Sequence, residues 1–244
     1  MTADSSLVQQ FAPTGVLRAS LNMGNPVLAH SRTATDKPAG VSIDLARELA
    51  RELGVEASFL EFDTAAKSVE ALAAGLADIG FMAIDPQRAG SIQFTAAYVQ
   101  IEGAYLVPQD SPITSNDQVD RPRVRIVVGA GSAYELYLSR TLKHATVVKV
   151  PTSETVVSTM LQDRQPVAAG VRQQLQADAK RIAGVRVLDG RFMVINQAMA
   201  MPKDRSAEAH AYLADFVERM KRGGFVGEAL ARHGIEGAKV VEAG

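Results

Sequence analysis

The chain has 244 residues, 47% hydrophobic and 22% charged, with a formal net charge of -1 and no cysteine. That length can bury one large core or two small ones. The small net charge and the lack of any dense Lys/Arg run point away from nucleic acid and give no sign of a membrane-surface partner. Without cysteine there are no disulfides, thiolate metal sites or Cys nucleophile.

No stretch approaches the roughly 18 apolar residues of a membrane span. The opening MTADSSLVQQ lacks the basic start and apolar core of a signal peptide. If the protein is exported, this chain is expected to be the processed form with a start Met added.

In chain order, Val16 to Asn22 alternates as a first strand, and Asn22-Met23-Gly24-Asn25-Pro26 has strong turn chemistry. His30 to Gly40 is polar and reads as a turn between strands. Ile43, Leu45, Ala46, Leu49, Ala50 and Leu53 fall at helical spacing, with Ser42 available as N-cap and Gly54 as the stop. A strand at Ala57 to Phe62, a helix from about Ala66 to Ala74 and a strand over 77–82 follow. Two strand-helix-strand units in succession imply a parallel sheet flanked by helices.

The next stretch is the most informative. Asp85-Pro86 pairs a strong N-cap with a residue well tolerated at the first helical position, so a short helix is expected from Pro86. It would place Arg88 in a first turn at the end of a strand, where free N–H groups and the helix dipole favour an anion and a guanidinium suits a carboxylate. From spacing alone the plainer reading is a surface arginine in a solvated turn, since arginine is usually exposed.

Two further extended runs follow. The second, Tyr98 to Val107, leads into a Pro/Ser/Asn/Asp-rich segment over 109–120, placed here as a domain crossing. A second α/β alternation then begins: strand Val124 to Val128, turn Gly129-Ala130-Gly131, helix Ser132 to Leu142, strand Ala145 to Val150, helix Ser153 to Leu161, strand Val167 to Val171, helix Arg172 to Arg181 and strand Val185 to Leu188. Phe192 to Met201 is extended again. An amphipathic helix Ala207 to Arg222, with Tyr212, Leu213, Phe216, Val217 and Met220 as its stripe, and a last helix from Phe225 to His233 close the chain.

Four segments resemble the family 3 periplasmic solute-binding proteins, the receptors of polar amino-acid uptake transporters. They are GVSIDLARELARELGV, with Gly40, Asp44, Leu45 and Gly54 in place; ALAAGLADIGFMAIDPQRAGSIQFTAAY, matching at Leu72, Gly75, Asp78, Arg88, Phe94, Thr95 and Tyr98; VRIVVGAGSAYELYL; and FVERMKRGGFVGEALARHG. The resemblance implies a two-lobed α/β fold of the type II periplasmic-binding-protein kind, each lobe a mainly parallel sheet with flanking helices. Residues 1–104 and 199–244 would form one lobe and 105–198 the other. A ligand would be enclosed between them by hinge closure, shifting an open-closed equilibrium by its differential affinity.

Carried over residue by residue, Arg88 would clamp a ligand carboxylate. Ser132, with the backbone of Gly131 and Ala133, would add donors, and Ala83 would contribute main chain only. Three departures stand out. Asn22 to Asn25, with Gly24, occupy the loop where the family places an aromatic. Ala65, near Lys67, stands where a second aromatic is common. Arg172, or Val171 with a one-residue slip, stands where an Asp normally meets the α-ammonium. If Arg88, Arg172 and Lys67 all face the ligand, it should carry more than one negative charge, as an acidic amino acid or dicarboxylate does; Arg172 and Lys67 also read as solvated helix positions. Glu102 and Asp189 remain candidate ammonium partners.

The implied function is a substrate-binding receptor of an ABC uptake transporter, periplasmic and monomeric, with a membrane permease as partner and no cofactor or metal. His30, His144, His210 and His233 show no ligand spacing, and Gly131-Ser132 lacks the G-x-S-x-G frame. Two other classes stay open. One is an enzyme like the cyclohexadienyl dehydratases, with Glu102 as its acid; the other is the ligand-sensing module of a signalling receptor.

Overall fold

The computed structural model describes residues 4–31 and 37–244. The first residues of the segment read for a leader, and the middle of the turn expected over His30 to Gly40, lie outside the described residues. At the ends of that turn His30 and Ala39 form an antiparallel bridge with two N–H to carbonyl bonds of 2.9 Å. The chain divides into two compact units, Met1–Gln100 with Asn196–Gly244, and Ile101–Ile195.

The first unit is built on β1 (Val16–Asn22), β2 (Glu56–Phe62) and β3 (Ile79–Ala83). β1 lies parallel to both, with Val16 opposite Glu56, Asn22 opposite Phe62 and Ala19 opposite Ile79. Every residue of β3 is buried, as expected of a strand covered on both faces. Beside β3 runs β9 (Met193–Pro202), antiparallel, and then β4 (Ile92–Pro108), on whose early half the short β10 (Lys239–Val240) is added. β4 is one strand of 17 residues rather than two runs.

Around this sheet pack α1 (Ser5–Phe11), α2 (Val41–Leu53), α3 (Ala65–Ala73), α7 (Ala207–Arg222) and α8 (Phe225–Arg232). α2 starts one residue before the expected N-cap. Gly40 takes that place at φ 133, where a Cβ would run into the Leu28 carbonyl, and Ser42 falls inside the helix, 1% exposed. Only glycine tolerates that turn, so the backbone rather than a hydroxyl sets the start. On α7, Leu213, Phe216 and Val217 are buried as the spacing predicts, while Tyr212 and Met220 are half-buried. Lys221 is buried instead, its Nζ donating to the carbonyls of Ala97 and Glu242 and pairing with Glu218 at 2.6 Å. α1 escapes sequence reading because it is short; Phe11, fully buried, packs edge-on against Tyr212.

Asp78, in the second resembling segment, is structural. Fully buried just before β3, it pairs with Arg18 at 2.8 Å and Arg205 at 3.1 Å and accepts the Arg18 N–H, pinning β1 beside β3.

The second unit repeats the plan. β5 (Arg125–Gly129) lies parallel to β6 (Thr146–Val150) and β7 (Val167–Val171); the later half of β4 runs antiparallel to β7, and β8 (Val185–Val187) adds on β4. α4 (Ala133–Thr141), α5 (Val156–Gln162) and α6 (Arg172–Arg181) flank them. Cores form on both faces, one around Val127, Met160 and Ala168, the other around Ile126, Val128, Tyr134 and Leu138.

Candidate functional site

In each unit the candidate residues gather at the carboxyl ends of parallel strands, the edge where α/β sheets present their ligand-binding loops. In the first unit these are the ends of β1, β2 and β3. Asn22 closes β1, and its side-chain oxygen accepts the Gly24 N–H at 3.1 Å. Gly24 has a packing reason to be glycine, since a Cβ would lie 2.6 Å from the Asp63 carbonyl oxygen. Past β2, Lys67 pairs with Asp63 at 2.8 Å, and both side chains are more than half exposed. Ala65 opens α3, whose N-cap is Thr64.

Past β3, Asp85 does cap the chain, accepting the Gln87 N–H at 2.9 Å. The helix expected from Pro86 does not form. Arg88–Gly90 is a single 3-10 turn, and Ile92, 1% exposed, already begins β4. Lys203 donates to the carbonyls of Ala89 and Gly90 at 3.0 and 3.2 Å, groups that a continuing helix would have used. Arg88 therefore has no helix dipole behind it. It is nonetheless buried, 6% exposed, with Nη1 donating to the Ala83 carbonyl at 3.1 Å. A guanidinium so placed is oriented by the main chain at the end of its own strand.

One residue of the Asn22 to Asn25 loop, assigned no binding role of its own from the sequence, belongs to the same edge. Asn25 is 9% exposed, and its side-chain Oδ1 has no hydrogen-bond partner. A buried acceptor left unsatisfied carries a desolvation cost that an arriving N–H donor would remove. Composition offered no signal for it, because only burial distinguishes Asn25 from any other turn asparagine.

In the second unit, Gly131 (φ 70), Ser132 and Ala133 follow β5, and Arg172 follows β7. Ser132 is the N-cap of α4, its oxygen accepting the Glu135 N–H at 3.1 Å. The Glu135 carboxylate reaches back to the Gly131 N–H at 3.2 Å, one residue ahead of the N-cap, while the Ser132 N–H donates to the Gly129 carbonyl at 3.2 Å. Ser139 and Lys149 also bond Glu135, at 2.7 and 2.9 Å. Burial opposes its ionisation, yet Lys149, Ser139 and Gly131 together hold the carboxyl below its usual range. Ala133, as the first helical residue, keeps an N–H with no carbonyl one turn earlier to receive it.

Arg172 donates through Nε to Glu102 at 2.8 Å and through Nη2 to the Gly190 carbonyl, while Arg191 takes the other Glu102 oxygen at 2.8 Å. The Arg191 bond, then Arg172, holds the Glu102 carboxyl below the ordinary range. Asp189 is exposed in the turn before Gly190. Among the described residues no group of three or more His, Asp or Glu could hold a metal ion, and no helix is long and apolar enough to cross a membrane.

The sequence model of the bacterial extracellular solute-binding proteins, family 3, matches residues 21–234. The chain belongs to that family. No curated protein matches this solute-binding protein, but solved structures do. A putative binding component of an ABC transporter from Wolinella succinogenes, complexed with lysine, is 21% identical over 90% of this chain and 95% of its own, with a TM-score of 0.77. The solute receptor for L-cysteine of Neisseria gonorrhoeae is 21% identical over 93% and 92%, with a TM-score of 0.79. An ancestral amino acid-binding protein, precursor of a cyclohexadienyl dehydratase, is 22% identical over 92% and 98%, with a TM-score of 0.76. At these identities the likeness establishes the fold, that of type II periplasmic binding proteins.

Proposed function

We propose that this solute-binding protein is the periplasmic receptor of an ABC uptake transporter, acting as a monomer that captures a small carboxylate-bearing, amino acid-like solute and delivers it to a membrane permease. The observation that carries the reading is Arg88, buried and held by the Ala83 carbonyl at the carboxyl end of β3. In this role its guanidinium takes the ligand carboxylate. The Ser132 hydroxyl and the Ala133 N–H give further donors, the Gly131 N–H being held by Glu135, and Asn22 and Gly24 shape the polar loop after β1. Asn25 Oδ1 accepts an N–H of the ligand. The lysine and L-cysteine held by structural neighbours support an amino acid-like solute.

The ion pairing supports a reading of the ligand's charge. Lys67 is matched by Asp63, whereas Arg172 and Arg191 share the single carboxylate of Glu102. With one carboxylate divided between two guanidinium groups, an acidic amino acid or dicarboxylate is the form the reading favours. Binding without catalysis is supported by the same group. Glu102, ionised and bonded through both oxygens to guanidinium groups, is poorly placed to donate a proton to a substrate.

The test is calorimetric titration of the purified protein with amino acids and dicarboxylates, repeated with Arg88→Ala. Saturable binding of a carboxylate solute by the parent and none by the folded variant is the expected result. Equal affinity in both would remove Arg88 from the site, and turnover of any bound solute would replace the receptor by an enzyme.

A further inference from the structure

The tertiary fold brings together two basic segments that lie apart in the sequence. Arg121, Arg123 and Arg125 lead into β5; Lys143 and His144 lie between α4 and β6; all five are exposed. The two segments are joined at Asp120, whose carboxylate accepts the backbone N–H groups of Lys143, His144 and Ala145 at 2.9, 2.8 and 2.8 Å. The Thr146 N–H also donates to the Val124 carbonyl at 3.0 Å, and Arg125 lies opposite Thr146 in the β5–β6 register. This face lies at the amino ends of the parallel strands, away from the Gly131–Ala133 turn at their carboxyl ends. None of Arg121, Arg123, Arg125 and Lys143 has a carboxylate within salt-bridge distance. Of the two nearby acids, Asp120 is turned onto the backbone, while Asp117 is exposed and close enough to Arg121 to feel its charge without forming an ion pair.

A second observation concerns the backbone. Residues 121–124 form a turn closed by the Val124 N–H to the Arg121 carbonyl at 3.2 Å, with Pro122 second and Arg123 third at φ 71. That third position ordinarily takes Gly or Asn, and a long L side chain there is strained. Glycine would relieve the strain but remove one cation of the cluster.

We propose that this face of the second unit docks on an anionic lipid surface. The partner class follows from what the patch lacks. Protein interfaces are built round an apolar core, but the large exposed apolar side chains, Leu76, Ile84 and Leu161, all lie on other elements. A solvated patch in which cations outnumber acids suits headgroup phosphates, where each Lys or Arg strengthens adsorption and salt screens it. Such docking would hold a membrane-delivered receptor close to its bilayer without occupying the solute site.

The experiment is co-sedimentation with vesicles of phosphatidylcholine alone and of phosphatidylcholine mixed with phosphatidylglycerol, at low and high salt. The protein is expected to sediment only with the mixed vesicles at low salt. Each neutralised cation should weaken partitioning roughly five-fold, so the triple variant Arg121→Gln, Arg123→Gln, Arg125→Gln should stay in solution. Arg123→Gly separates function from folding, since it should be at least as heat-stable as the parent and yet partition about five-fold less. Failure to sediment at low salt, equal binding to neutral vesicles, or an unchanged triple variant would each overturn the proposal. Capture by immobilised polyglutamate without vesicle binding would reassign the face to an acidic protein.

Discussion

At the residue scale, the environment of each charge decides its use. Arg88 and Lys67 are both cations after β strands, but Lys67 is solvated and paired with Asp63, while Arg88 is buried and aligned by a carbonyl. Arg88→Ala is expected to remove solute binding, a loss of about 2–5 kcal/mol, with the fold retained by circular dichroism. Arg88→Lys keeps the charge without the planar fork and should also bind poorly. Glu135 gives a pH prediction. Its folded-state pKa is depressed, so its contribution is present above the ordinary carboxylate range and lost as pH falls through the depressed value. Glu135→Gln should therefore lower the melting midpoint at neutral pH and narrow its gap to the parent as the solution is acidified below about pH 4. A gap that stays constant with pH would mean the effect is packing and not charge.

At the scale of elements, glycine and capping positions set boundaries that periodicity leaves loose. Gly40→Ala would place a Cβ against the Leu28 carbonyl at φ 133, and a loss of about 1–3 kcal/mol is expected, read as a lower urea midpoint. The helices at 41–53, 133–141, 172–181 and 207–222 and the strands between them were readable because apolar spacing and caps agree locally. The helix at Pro86 was not. Asp85 caps as its residue type suggests, but buried Ile92 commits the chain to β4 within one turn, and Lys203, far along the sequence, takes the carbonyls of Ala89 and Gly90. A local N-cap signal lost to a long-range pairing.

At the scale of the whole molecule, the two units, the family and the proposed transport role meet in one measurable quantity. A solute present at 100 times its Kd should add about 2.7 kcal/mol of stability and raise the melting midpoint by roughly 5–10 °C for a chain of this size, read by differential scanning fluorimetry. A solute that calorimetry shows to bind but that leaves the midpoint unmoved would contradict binding to the native state alone. By itself the sequence determined the α/β alternation, the family resemblance and the position of Arg88, because hydrophobic spacing, turn residues and spaced motifs are local or nearly local in the chain. Tertiary structure alone decided which charges are spent and which remain. Glu102 meets Arg172 and Arg191 across about 70 and 89 residues of chain, Asn25 became a buried acceptor by packing, and the basic face arose where β5 and β6 bring Arg121 to Arg125 beside Lys143. Ion pairing and burial depend on which distant segments the sheet places side by side, and no spacing within either segment records that.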